Sequence, residues 1–201
     1  RRGTAAGGWL VLWALLPAVV ITAMTGDTGS VMLLAGAFGL AVVLRETVNL
    51  SLAVMASVPL AILSGMALIV LNGPFLEELI TTFNQALAQL EQDLQQEGSQ
   101  QLAFNANALS IPQVAALLAT GNAVIAVLSL MLGRYWQALL YNPGGFGTEF
   151  RALSMPQGAV LAMASIALVL WWLGPEWRVW SAVAVLPLTV VGFALIHAYA
   201  A

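Results

Sequence analysis

Residues 110–133 read SIPQVAALLATGNAVIAVLSLMLG, a run without one charged residue that ends against Arg134. A bilayer core about 30 Å thick is crossed by about 20 apolar residues at 1.5 Å each, so this stretch is long enough to span it as a helix. Ser110 and Gln113 match a capping box around Pro112 in the first turn, which sets the start of that helix. The same composition extends over the whole chain. Its 201 residues hold only 6 basic and 9 acidic side chains, against 61% hydrophobic residues and a mean hydropathy of +0.92. Globular domains carry roughly 25% charged residues, so water is the wrong solvent for this polypeptide and lipid the right one.

Working outward from 111–133, five more uncharged runs of bilayer length are bounded by charges or turn formers. They cover residues 6–24, 30–44, 49–71, 157–173 and 179–199. Thr25-Gly26-Asp27-Thr28-Gly29-Ser30 separates the first two, and Asn72-Gly73-Pro74 stops the third. The runs are too long and too evenly apolar for the alternating strands of an outer-membrane barrel. Pro59 and Pro187 fall inside spans and predict kinks there. Over residues 75–97 the pattern changes. Leu76, Leu79, Ile80, Phe83, Leu87 and Leu90 recur at steps of three and four among Glu and Gln, as in an amphipathic helix, with Glu77 and Glu78 in its first turn. The segment 97–101 reads as a break. The expected architecture is therefore an all-α integral membrane protein of about six transmembrane helices plus one amphipathic extramembrane helix, forming one domain over 1–201. The chain starts at Arg1 rather than Met, and an upstream segment is expected.

Charge placement predicts orientation. With six crossings, Arg1, Arg2, Arg45, Arg134 and Arg151 share one side with Glu46 and Glu149. Asp27, Glu77, Glu78, Glu91, Asp93, Glu97 and Glu176 share the other with Arg178. The positive-inside rule then puts the arginines and both ends of this chain in the cytoplasm. Trp171, Trp172, Trp177 and Trp180 fit an interfacial belt at the outer end of the last hairpin, and Trp136 one at the inner boundary.

Several chemistries are excluded by composition. Without Cys there is no disulfide, thiolate metal site or Cys nucleophile. With a single His, His197, zinc centres and Ser-His triads are not expected, since most imidazole-based sites need a second ligand or partner. All basic residues are Arg, so no Lys serves a Schiff base or a phosphate loop. A net charge of -3 supplies no nucleic-acid footprint. No metal and no cofactor is expected, and no acid, base or nucleophile pair suggests an enzyme.

The remaining candidates are contact residues. Arg45 and Glu46 lie at the edge of the core, either as a snorkelling turn or as a bundle-facing charge for an anionic solute or a partner. Asn142-Pro143-Gly144-Gly145, with Gly147, marks a tight turn flanked by Arg134 and Arg151 and by Tyr135, Trp136, Tyr141, Phe146 and Phe150. It reads as an interfacial loop, a docking surface or, without a following Gly-Lys-Ser/Thr, a weak anion cradle. Ala53, Ser57, Ala61 and Gly65 form a stripe of small residues on the third span, and Ala115, Ala119 and Ala123 another on the fourth. Such stripes allow close helix approach, within the bundle or against another subunit. His197 reads as an interfacial anchor ahead of a proton relay, and Asn122 as a helix-to-helix hydrogen bond.

The run from Gly133-Arg134-Tyr135-Trp136 through Asn142-Pro143-Gly144-Gly145-Phe146-Gly147 to Glu149-Phe150-Arg151 resembles a signature of the YybS-like predicted membrane proteins of proteobacteria. Trp13 to Pro17, Leu44 to Val48 and Gly192 to His197 fit the same pattern. That family has no assigned activity and is similar in layout to the substrate-binding S subunits of energy-coupling-factor transporters. The resemblance implies further membrane sequence upstream, a bacterial inner membrane, and a bundle able to hold a small solute and dock against other membrane subunits. It carries over no catalytic or ligand residue. The expected function is that of a non-catalytic solute-binding or accessory subunit among membrane lipids and other integral membrane proteins. The alternative is a structural or assembly subunit without a ligand.

Overall fold

The computed structural model describes residues 4–96 and 109–200, and all regular structure among them is helical. In lipid, backbone N–H and C=O groups find no water, and helices satisfy them within one segment. The expected break over 97–101 and the placement of Arg1 and Arg2 lie outside the described residues.

Helix α1 spans Thr4–Thr25 and α2 Gly29–Thr47. The turn between them is built by its own side chains. Gly26 takes φ +74, Thr22 Oγ1 donates to the Asp27 carbonyl at 2.8 Å, and Asp27 Oδ1 accepts the Gly29 N–H at 2.7 Å. The third expected span is two helices, α3 over Leu50–Met55 and α4 over Ser57–Leu71, broken at Ala56. Pro59 explains the break, because it has no N–H for the Met55 carbonyl one turn back. Ser57 is buried at the break and donates its hydroxyl to the Val54 carbonyl at 2.7 Å.

Helix α5 covers Gly73–Gln96, two residues longer at its start than the apolar pattern predicts. Helix α6, Ile111–Tyr141, is the hub of the bundle, packed most extensively on α4 and α2. Gln113 Oε1 accepts the Ser110 N–H at 2.8 Å, as half of the expected box. Its Nε2 donates to the Pro175 carbonyl at 3.1 Å and so ties the start of α6 to the short helix α9, Pro175–Arg178. Helix α6 passes the expected end at 133 and runs eight residues further, since no breaker occurs before Asn142-Pro143. The expected loop then holds another short helix, α7, over Gly145–Arg151. Helix α8 spans Gln157–Trp172, α9 Pro175–Arg178 and α10 Ser181–Ala200.

Among the described residues, five segments are long and apolar enough to cross a membrane: Gly7–Thr25, Gly29–Thr47, Leu50–Leu71, Ile111–Tyr141 and Pro175–Ala200. The sixth expected span, α8, is apolar but has 16 residues, about 24 Å of helix.

Two packed clusters fill the interior. Toward one end, Leu76 of α5, Val114 and Ala115 of α6, and Trp180 and Val183 meet Ala61 of α4. Toward the other, Leu40, Leu50, Val54, Ala126, Val127 and Ala194 pack with Leu153. Trp180 departs from the expected interfacial belt: it is buried, whereas Trp171, Trp172 and Trp177 are exposed. Gly65 makes the room. A Cβ there would stand 2.5 Å from Cη2 of Trp180 and 3.0 Å from Ala119 Cβ, so the missing side chain is the slot that the indole fills.

Candidate functional site

Hydrogen bonds that cross between elements sort the two ends of the bundle. At one, Asn72 is buried between α4 and α5, and its Nδ2 donates to the Gly26 carbonyl at 2.9 Å and to Thr28 Oγ1 at 2.8 Å. This polar knot pins the α1–α2 turn to the start of α5. Asp27, Glu77, Glu78, Glu176 and Arg178 belong to this end, where Arg178 lies 4.7 Å from the Trp171 ring centroid, over its face.

The opposite end carries most of the contact residues expected from the sequence. Extension of α6 by two turns brings Arg134 against α7, where its Nη2 pairs with Glu149 Oε2 and its Nη1 donates to Gln137 Oε1 at 2.7 Å. Both members of the ion pair are less than a third exposed, so solvent screens it less than a free surface pair. Along the same side, Tyr135 meets Phe146 edge-on at 6.0 Å, Phe146 stacks on Phe150 at 5.9 Å, and Phe150 leans on His197 of α10 at 6.1 Å. The aromatic ladder therefore clamps α7 between α6 and α10. His197 is the last ring of the ladder and stays exposed on its other side.

The glycine turn has its own geometry. Asn142 caps α6, with its N–H on the Ala138 carbonyl at 2.8 Å, and its carbonyl accepts the Gly145 N–H at 2.9 Å. Gly144 takes φ +83, a left-handed conformation that costs L side chains roughly 1 kcal/mol or more. The Asn142 side chain covers Gly145, with Nδ2 at 2.3 Å from where a Cβ would be. The Gly145 and Thr148 N–H groups are both used inside the turn and α7, which removes two donors from an anion cradle. Gly144 and Gly147 instead line an apolar groove of about 340 Å³ with Tyr135, Phe146, Phe150 and His197.

Beyond α7, the Ser154 N–H donates to Ser51 Oγ at 3.3 Å and links the α7–α8 connector to α3. A second groove, of about 610 Å³, opens there between Val48, Asn49, Ser51, Glu149 and Ser154. Val48 stands beside it with φ 51, an uncommon state for a β-branched residue. Arg151 is exposed on the last turn of α7. Arg45 and Glu46 are exposed on the last turn of α2, and neither lines the interior cavity between α2, α4 and α6. That cavity is only about 20 Å³. The structure thus brings Arg134 against the helix that follows the glycine turn, and leaves Arg45, Glu46 and Arg151 exposed.

The small-residue stripes lie inside. Ala53, Ser57, Ala61 and Gly65 are buried on α3 and α4, and Ala115, Ala119 and Ala123 on α6, so the helices approach closely along both. Asn122 donates from Nδ2 to the Gly29 carbonyl of α2, at a long 3.4 Å. Glu149 and Gln137, the partners of Arg134, and the Asn72 knot are what sequence reasoning misses. A pairing across 44 to 46 residues leaves no periodic trace, although a helix continuing through 134–141 would have put Arg134 and Gln137 one turn apart. Among the described residues no three His, Asp or Glu side chains cluster as metal ligands. No family model matches this chain, and no curated protein or solved structure matches it.

Proposed function

We propose that this chain is a non-catalytic accessory subunit of a bacterial inner membrane, crossing it six times and working through contacts with other integral membrane proteins. The observation that carries the reading is α5. Its first turns are held down by Leu76, which is fully buried, yet Phe83 and Leu90 on the same apolar stripe are 46% exposed. On this reading α5 lies outside the hydrocarbon, where exposed apolar surface favours a protein partner. Positive-inside placement of the arginine end leaves α5 extracytoplasmic, and α8 makes the sixth crossing with help from its flanking residues. The resemblance to YybS-like proteins agrees with such a role.

Between α2, α4 and α6 the cavity of about 20 Å³ is too small for a solute, since ligand pockets run to about 300 Å³ or more, and this supports the accessory form over one that binds a solute there. The test is purification of the whole protein from its native membrane in mild detergent, followed by mass spectrometry of what accompanies it. Another integral membrane subunit is expected in fixed proportion. A Phe83→Glu, Leu90→Glu variant should lose that subunit while melting at the temperature of the parent. Recovery of the chain alone, or with a stoichiometric small molecule, would reject the reading.

A further inference from the structure

We infer that the middle of the bundle binds a single structural water molecule, held by Ser64 of α4 and Asn122 of α6 in the cavity between α2, α4 and α6. Three observations converge on it. The first is a buried hydroxyl without a partner: Ser64 Oγ is shielded from the surroundings and makes no hydrogen bond. A sequestered hydroxyl left unpaired costs roughly 1–3 kcal/mol, and within a hydrocarbon-solvated bundle no bulk water is at hand to relieve it.

The second is the space in front of it. The cavity, about 20 Å³, is lined by Gly36, Ser57, Leu60, Ser64 and Asn122 among others. A water needs about 10–15 Å³ of such volume, so one molecule fits and a solute does not. Gly36 keeps the space open, because nothing lies within 4 Å of where its Cβ would stand.

The third is the supply of partners, of which a buried water needs two to four. Asn122 Nδ2 spends one N–H on the Gly29 carbonyl at 3.4 Å, and its carboxamide keeps a second N–H and an acceptor oxygen. Ser57 Oγ donates to the Val54 carbonyl at 2.7 Å and keeps acceptor capacity. The water accepts from or donates to Ser64 Oγ, pairs with the Asn122 carboxamide, and reaches Ser57 where geometry allows. It thereby joins α4 to α6, which is itself tied to α2 by the Asn122–Gly29 hydrogen bond.

The sign of one substitution separates this arrangement from a dry cavity. With water bound, Ser64→Ala removes one of its partners and should lower the melting temperature of the detergent-purified protein by roughly 2–4 °C. If the cavity is dry, or if Ser64 turns to donate to the Leu60 carbonyl one turn back, the same change deletes a costly or redundant hydroxyl and the melting temperature should stay or rise. An experimental map of the unmodified protein at water-resolving resolution gives the independent readout: a peak within hydrogen-bond distance of Ser64 Oγ and Asn122. An empty map, an unchanged or raised melting temperature, or a melting temperature that depends on sodium concentration would overturn the inference.

Discussion

Gly65 shows how one absent side chain organises three helices. Trp180 and Ala119 press into the space that a Cβ would take, and the result is a close crossing of α4 with α6, capped by an indole from the start of the last span. In lipid such packing, rather than water exclusion, holds helices together. Gly65→Ala should therefore lower stability by about 1–3 kcal/mol through overpacking, and Gly65→Leu should prevent assembly of the bundle. Trimming the ring in a Gly65→Ala, Trp180→Phe double variant should restore part of the loss, giving a coupling in a double-mutant cycle of detergent melts. Additive effects of the two changes would mean that the indole does not occupy that slot in solution. The stripe containing Gly65 is readable from the sequence because steps of four mark one helix face. The burial of Trp180 is not readable: four tryptophans near one hairpin look alike until the partner glycine, 115 positions away, is known.

At the scale of elements, composition and length decide most of the fold, and breakers decide where it departs from simple spans. Uncharged runs locate α1, α2, α6 and the last helix, because a lipid-solvated backbone has few alternatives to a helix. Continuation of α6 to Tyr141 goes unread when the first charge, Arg134, is taken as its end. A charge ends a membrane crossing but does not end a helix. Conversely, Pro59 predicts a kink, and the helix is interrupted at Ala56, which keeps right-handed helical angles, so that Leu50–Leu71 still forms one span. Helix α8 is the open case. At about 24 Å it falls short of a bilayer core of about 30 Å, a mismatch that thinning or snorkelling accommodates at modest cost. The chain has no native Cys, so single-cysteine variants report their own exposure. If α8 crosses, Gln157→Cys and Glu176→Cys react with an impermeant maleimide from opposite sides of the membrane. Labelling from the same side would leave α8 as a re-entrant or surface helix and reduce the crossings to five.

Over the whole molecule, the two ends differ in charge and in polar construction. One gathers Asp27, Glu77, Glu78 and Glu176 around the Asn72 knot, with Arg178 as its base. The other carries Arg45, Arg134 and Arg151, with Glu46 and Glu149, and the aromatic clamp. Arg134 is paired with Glu149, and Arg45 and Arg151 are the exposed arginines of this end among the described residues. Positive charge is costly to carry across the membrane during insertion, and arginines in short connections therefore hold their side. Glu78→Cys in α5 should react with an impermeant maleimide in intact spheroplasts, whereas Thr148→Cys in α7 should react only after permeabilisation. Replacing both Arg45 and Arg151 by Gln should weaken that asymmetry and yield a mixed labelling pattern, while either change alone should leave it intact. Reaction of Thr148→Cys in intact spheroplasts would invert the molecule. It would place α5 in the cytoplasm, and any partner of its Phe83 and Leu90 stripe would then have to be a cytoplasmic-side protein.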